Sequence, residues 1–195
     1  MSSPWWWTIL NFFTVITFNV YLNDWMELLL SNAIIPFALI FWIYAYSYSM
    51  DIKYKKEITV LISVISLAYE ILVLILLCMN PALLGYKINF EVLARSPLSL
   101  IFALATAIII FITGILFSIN SIRSVDRETH LRGYFLLIAF SLITLCAGFD
   151  ALSWENIFII VLIRLVLTLS SIFFYFGFFF PIRLSKNFIR KEESQ

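Results

Sequence analysis

Six long apolar segments occupy most of this 195-residue chain, and they limit what it can fold into more than any other feature. A transmembrane α-helix needs about 20 apolar residues. The runs are continuous rather than alternating, which excludes the strands of a transmembrane β-barrel. The sequence therefore predicts an all-α, polytopic membrane protein forming one domain, a six-helix transmembrane bundle. The predicted spans are 5–22, 25–49, 58–80, 98–120, 134–154 and 157–181, followed by a short basic tail at 182–195.

The composition agrees with a chain that lies in lipid. Hydrophobic residues make up 63% of the sequence and charged residues 13%, whereas a soluble domain carries about 25% charged residues. The mean hydropathy is +1.00. The net charge is +1 and the basic residues lie in short loops, so nucleic acid is not an expected partner. The expected surroundings are a lipid bilayer, and the expected location is the cell membrane, with multiple passes.

Basic residues alternate between the gaps, which predicts the orientation of the chain. Short cytoplasmic loops of membrane proteins carry an excess of Lys and Arg. The second gap, the fourth gap and the tail together hold ten of these residues, and the other three gaps hold only Lys87 and Arg95. Both termini are therefore predicted to be cytoplasmic. The first span is short and contains Asn11 and Asn19; if it does not cross, the N-terminus moves outside while the rest stays in place.

Proline and small residues predict local features of the helices and of the longest loop. Pro36 cannot donate a backbone hydrogen bond, so the second span should bend near it. Ser31, Asn32 or a neighbouring helix should then bond the carbonyl that Pro36 leaves free. The loop 81–97 is expected to hold a short interfacial helix carrying Phe90, Val92 and Leu93. In the fourth span the small and polar residues predict close helix packing; they are Ser99, Ala103, Thr106, Thr113 and Gly114.

Polar residues inside the spans form the candidate functional site. Glu70 lies near the middle of the third span, where an acidic side chain costs about 2.5–3.5 kcal/mol on insertion scales. Ser63 and Ser66 share its helical face. A second polar stripe runs along the sixth span, and Asp150 ends the fifth span one tight turn away from it. The candidate intramembrane residues are Glu70, Ser66, Ser63, Arg164, Asp150, Thr168 and Ser171.

Two interpretations of these residues stay open. In the functional one, they line a polar cavity that binds a ligand or passes a proton or an ion. In the structural one, Glu70 or Asp150 pairs with Arg164, and the Ser and Thr side chains hydrogen-bond across packed helices. The tight turn between the last two spans favours Asp150 as the partner of Arg164. That pairing would leave Glu70 without a fixed cation.

The sequence offers no residues for common catalytic or cofactor chemistry in the membrane. His130 is the only histidine and lies in a charged loop. This argues against a haem b bundle, a histidine-ligated metal centre and a Ser–His protease. No predicted span contains a lysine for a retinal Schiff base. We therefore expect a protein that is not an enzyme and that uses no cofactor or metal.

The end of the chain resembles a known membrane module. The run Gly148-Phe149-Asp150-Ala151-Leu152, then Arg164, then Phe174-Tyr175-Phe176-Gly177-Phe178 up to Pro181, is similar to the last two helices of the multi-helix sensor modules that precede kinase domains in prokaryotic histidine kinases. The similarity covers about the last third of the chain. The chain departs from that family in having six predicted spans rather than seven and in stopping after Gln195 without a kinase.

The resemblance implies a sensory role whose output needs a partner protein. The expected function is a non-enzymatic sensory or ligand-binding membrane module, acting through a protein partner or as a homo-oligomer. One alternative is a small oligomeric transporter or channel that uses Glu70 as an ion or proton site. The other is an accessory subunit of a larger membrane complex.

Overall fold

The chain folds into α-helices and one β-hairpin. The structure is a computed structural model and describes the backbone of residues 3–21, 23–89, 92–151 and 156–179. Within these ranges the elements are α1 (Ser3–Phe18), α2 (Asp24–Ser49), α3 (Lys55–Met79), a 3-10 turn (Pro81–Leu83), β1 (Gly85–Asn89), β2 (Val92–Arg95), α4 (Pro97–Ile122), α5 (Arg127–Ala151) and α6 (Ile157–Phe178).

Five of these helices are long and apolar enough to cross a membrane. The candidate spans are Leu28–Ser49, Lys55–Met79, Pro97–Ile122, Arg127–Asp150 and Phe158–Phe178. The α1 helix has 16 residues, which at 1.5 Å per residue is about 24 Å. That is shorter than a hydrocarbon core of about 30 Å. The prediction of an all-α, multi-pass membrane protein is therefore confirmed with five candidate spans among the described residues.

The loop between α3 and α4 differs from the prediction of an interfacial helix. Val92 and Leu93 lie in strand β2, which pairs antiparallel with β1; Phe90 lies outside the described residues. Gly85 allows β1 and β2 to approach closely, because a Cβ at this position would lie 2.6 Å from the carbonyl oxygen of Ala94. In a hairpin, the backbone N–H and C=O groups of this short segment between two prolines bond across the two strands. A short helix would leave its terminal N–H and C=O groups unpaired.

Pro36 does not interrupt α2, which runs as one helix from Asp24 to Ser49. Ser31 Oγ and Asn32 Nδ2 both donate to the carbonyl oxygen of Leu28, at 3.3 and 2.9 Å. The carbonyl that loses its donor is that of Asn32, four residues before Pro36. The two side chains therefore bond a carbonyl one turn earlier than predicted, and the bend itself stays a prediction.

The chain divides into two compact units, with the boundary inside α4. The first unit comprises Met1–Ala107 with Ala151–Glu155, and the second comprises Ile108–Asp150 with Asn156–Gln195. The buried core of the first unit joins α2, α3 and the loop that follows α3; its members are Leu28, Tyr69, Val73, Leu77 and Leu84. Arg164, Asp150 and the α6 residues of the predicted polar stripe belong to the second unit.

Small residues bring the helices of the second unit close together. A Cβ on Gly133 of α5 would lie 2.6 Å from the backbone nitrogen of Ile122 in α4. A Cβ on Gly114 of α4 would lie 2.4 Å from the ring of Phe140 in α5. Ser170 Oγ of α6 donates to the carbonyl oxygen of Ala139 at 2.9 Å. Such contacts drive helix association where lipid removes the hydrophobic gain, so Gly114 has the packing role predicted for α4.

Charged side chains order the two turns predicted to be cytoplasmic. Lys55 Nζ lies 2.9 Å from Asp51 Oδ1, and this hydrogen bond lowers the pKa of the Asp51 carboxyl. Before α5, Asp126 Oδ2 accepts the backbone N–H of Thr129 at 3.0 Å. Hydrogen bonds from Thr129 lower the pKa of Asp126 as well. Asp126 therefore acts as an N-cap for α5.

Candidate intramembrane polar site

One face of α3 carries both predicted polar residues and apolar core residues. Ser66, Tyr69, Glu70, Val73 and Leu77 recur at helical spacing and are all buried. Glu70 is only 9% exposed. The structure thus places Ser66 and Glu70 together on a buried face, as their spacing predicts. Ser63, one turn earlier, is half-buried.

The α2 helix adds an asparagine at the level of Glu70. Leu28 of α2 packs in the same core as Val73 and Leu77 of α3. The two helices are joined by a short turn and run antiparallel. Moving toward the C-terminus of α2 therefore corresponds to moving toward the N-terminus of α3. Asn32 is one turn beyond Leu28 and fully buried, which places it at the depth of Glu70.

The first part of α4 adds a threonine at the level of Ser66. The ring of Phe102 stacks on that of Tyr69, with centroids 3.6 Å apart and planes at 4°. Ser99 Oγ donates to the carbonyl oxygen of Leu84 at 2.9 Å, which fixes the start of α4 beside the end of α3. Thr106 is one turn beyond Phe102 and 5% exposed, so antiparallel packing brings it to the depth of Ser66.

These three helices bury polar atoms that no protein group bonds. Five of these atoms lie near the packed core, namely Asn32 Oδ1, Ser66 Oγ, Tyr69 Oη, Glu70 Oε2 and Thr106 Oγ1, and we call these five side chains the polar cluster. A sixth, Ser47 Oγ, lies at the other end of α2. Each buried polar atom without a partner costs about 1–3 kcal/mol. Folded proteins bond the large majority of such atoms, to protein or to ordered water. Five such atoms on neighbouring turns make this part of the first unit the candidate site.

Among the described residues, a cation adjoins the polar cluster at Tyr69. Arg95, half-buried at the end of β2, and Glu70 both interact electrostatically with Tyr69. Within the described ranges no Lys or Arg forms an ion pair with Glu70, and no cationic neighbour offsets its burial. The same ranges hold no group of three or more His, Cys, Asp or Glu that could ligate a metal. One carboxylate surrounded by neutral oxygens is therefore the chemistry of this site.

The polar stripe predicted on α6 is bonded to its own helix. Thr168 and Ser171 are exposed, and their hydroxyls donate to the carbonyl oxygens of Arg164 and Leu167, at 2.9 and 3.0 Å. Asp150 and Arg164 both take part in polar or electrostatic interactions. The turn residues 152–155 lie outside the described ranges, so the pairing of Asp150 with Arg164 stays a prediction.

Three members of the polar cluster were not predicted as site residues. The sequence predicts Asn32 only as a partner for the carbonyl that Pro36 leaves free and Thr106 only as a packing residue, and it predicts no role for Tyr69. The available signal was that Asn32 and Thr106 are polar residues inside apolar spans and that Tyr69 adjoins Glu70. That signal is shared by many intramembrane Ser and Thr residues, which usually bond their own helix.

Comparisons with known proteins give no further guide to the site. No family model, curated protein or solved structure matches this chain.

Proposed function

We propose that this chain is a non-enzymatic, multi-pass membrane protein that binds a small polar ligand at the polar cluster and acts through partner proteins. The observation that carries the proposal is that five buried polar side chains, on turns of α2, α3 and α4 next to one packed core, each have an atom that no protein group bonds. An ionisable residue inside a membrane protein that faces the protein interior is by default a functional candidate. Glu70 fits that description.

Buried serines in the second unit show what a purely structural polar residue looks like. Ser118 is fully buried, and its hydroxyl donates to the carbonyl oxygen of Gly114 at 2.7 Å. Ser170, also fully buried, bonds across to Ala139. Ser66 is just as buried but has no such bond. Helix packing therefore accounts for Ser118 and Ser170 and leaves Ser66 unexplained.

The output through partners rests on the resemblance of residues 148–181 to membrane sensor modules. In those modules the last helices lead to a kinase domain. By analogy, a ligand-dependent change in this chain would be read by a partner protein or by a second copy. This part of the proposal concerns the second unit, and the ligand site concerns the first.

Transport is the second candidate, and the same carboxyl supports it. Glu70 is buried in a span without an ion-pair partner among the described residues, as are the carboxylates that carry protons or ions in pumps and transporters. Transport predicts a flux across vesicles reconstituted with the pure protein. Ligand binding alone predicts no flux.

We propose the orientation given by the basic residues, with the C-terminal tail and the segments 51–57 and 121–133 in the cytoplasm. Single cysteines are placed in a background in which both native cysteines are replaced by serine. A membrane-impermeant thiol reagent added to intact cells should label Asn89→Cys and should not label Ser124→Cys or Ser194→Cys. After the cells are permeabilised, all three should react. Labelling of Ser124→Cys in intact cells would reverse the orientation.

A ligand site must admit small solutes, which thiol accessibility measures. In the same background, Ser66→Cys should react with a small, charged methanethiosulfonate reagent in native membranes. Ser118→Cys is the matched control, because Ser118 is equally buried but has an internal bond. We expect the reaction at position 66 to be at least tenfold faster. Equal inertness of both cysteines would mean that the polar cluster is closed, and the ligand-binding function would then be wrong.

A further inference from the structure

The identity of the ligand follows from the kinds of atom in the polar cluster and rests on the function proposed above. All five atoms without a partner are oxygens. Asn32 Oδ1 can only accept a hydrogen bond, and so can Glu70 Oε2 when ionised, while the three hydroxyls can turn their lone pairs inward. Oxygen ligands of these kinds suit hard cations. They suit an anion poorly, because an anion would face a carboxylate.

Pro36 frees one more oxygen at the depth of Glu70, the backbone carbonyl oxygen of Asn32. It is fully buried, and it has no N–H to donate to the carbonyl of Asn32. The side chains of Ser31 and Asn32 donate to the carbonyl oxygen of Leu28 instead. The Asn32 backbone carbonyl therefore lacks its helical donor on the residue that also carries Oδ1. Backbone carbonyls released from helical bonding coordinate Na⁺ in membrane transporters.

The charge of the site selects a monovalent ion. Glu70 is the only acidic member of the polar cluster, and sites for Ca²⁺ use several carboxylates. One positive charge would neutralise one buried carboxylate without leaving an excess. Within the described part of the chain no cation offsets the burial of Glu70.

We infer that the polar cluster binds one alkali-metal cation, held by the Glu70 carboxylate and by neutral oxygens of Asn32, Ser66 and Thr106. The residues come from α2, α3 and α4, and successive turns of a helix are only about 5.4 Å apart. Binding of the cation links α2, α3 and the first part of α4. It also gives each oxygen a partner that the protein does not provide.

Thermal unfolding of the purified protein in detergent tests this inference. NaCl is raised at constant ionic strength by replacing N-methyl-D-glucamine chloride, with KCl and LiCl in parallel series. At a Na⁺ concentration one hundred times Kd, the linkage relation gives a rise in Tm of roughly 5–10 °C. The rise should saturate, and binding of radioactive ²²Na⁺ to the same protein should saturate in the same range.

Variants assign the effect to the polar cluster. Glu70→Gln should abolish the cation-dependent shift, and Asn32→Leu, which is close in volume, should remove most of it. Thr106→Val is nearly isosteric and should fold even if Glu70→Gln does not. It should weaken the apparent affinity for Na⁺ at least tenfold. Ser141→Ala is the control in the second unit, because Ser141 Oγ bonds its own helix at the Leu137 carbonyl. It should keep the full shift.

The failure of this inference can be told apart from the failure of the ligand site itself. If no alkali cation shifts Tm or if Glu70→Gln keeps the shift, the cation assignment is wrong. If Ser66→Cys is nevertheless reactive, a ligand site remains and takes another solute or water. If Ser66→Cys is inert as well, both the site and its cation are wrong.

Discussion

Gly133→Ala is expected to destabilise the protein more than any other single methyl addition to a glycine of the second unit. The added Cβ would lie 2.6 Å from the backbone nitrogen and 2.7 Å from Cγ1 of Ile122. Backbone cannot rotate away as a side-chain end can, so α4 and α5 must separate. Overpacking of this kind costs about 1–3 kcal/mol and occasionally more. Thermal unfolding in detergent, followed by circular dichroism, measures the loss.

Gly148→Ala is the matched control in the same helix. A Cβ on Gly148 meets no atom within 4 Å, and Ala favours a helix over Gly by about 0.8–1.0 kcal/mol. The control should be neutral or slightly stabilising. Gly114→Ala should destabilise the protein about as much as Gly133→Ala, because its added Cβ would meet the fully buried ring of Phe140. If Gly133→Ala were as stable as Gly148→Ala, the close contact of α4 and α5 would be refuted.

Glu70→Gln is expected to remove activity while leaving stability, measured without alkali cations, within about 1 kcal/mol of the native protein. Gln keeps the volume and most hydrogen-bonding capacity of Glu, and Glu70 has no described ion pair to lose. Arg164→Ala should instead destabilise by about 2–3 kcal/mol, because hydrogen bonds to charged groups contribute that much and Arg164 has interactions to lose. Asp150→Asn should mimic Arg164→Ala in part.

Two measurements on the same variants separate stability from activity. Unfolding in detergent gives the stability ranking, and ion or proton flux into reconstituted vesicles tests transport. A flux that disappears in Glu70→Gln but persists in a folded Asp150→Asn would favour transport over ligand sensing. If Glu70→Gln unfolds the protein as badly as Arg164→Ala does, Glu70 belongs to a structural pair. Both the ligand-binding and the transport proposals would then lose their main support.

The sequence was sufficient for the membrane class and for the five long helices. Helix length and hydropathy are properties of consecutive residues, and lipid leaves a backbone no alternative to internal hydrogen bonding. Whether 5–22 crosses the membrane stays a prediction, because an apolar run shows that a segment tolerates lipid and not that it spans. The sequence also placed Ser66 and Glu70 on one face, since helical spacing alone decides that.

Only the tertiary structure decided which polar residues meet. Asn32 and Thr106 join Glu70 because Leu28 packs beside Val73 and because Phe102 stacks on Tyr69, and these registers depend on contacts between residues distant in sequence. The hairpin after α3 likewise depends on the close approach of Gly85 to Ala94. Local sequence reports which face of a helix is polar, whereas the partner of that face is set by how the neighbouring helices are packed against it.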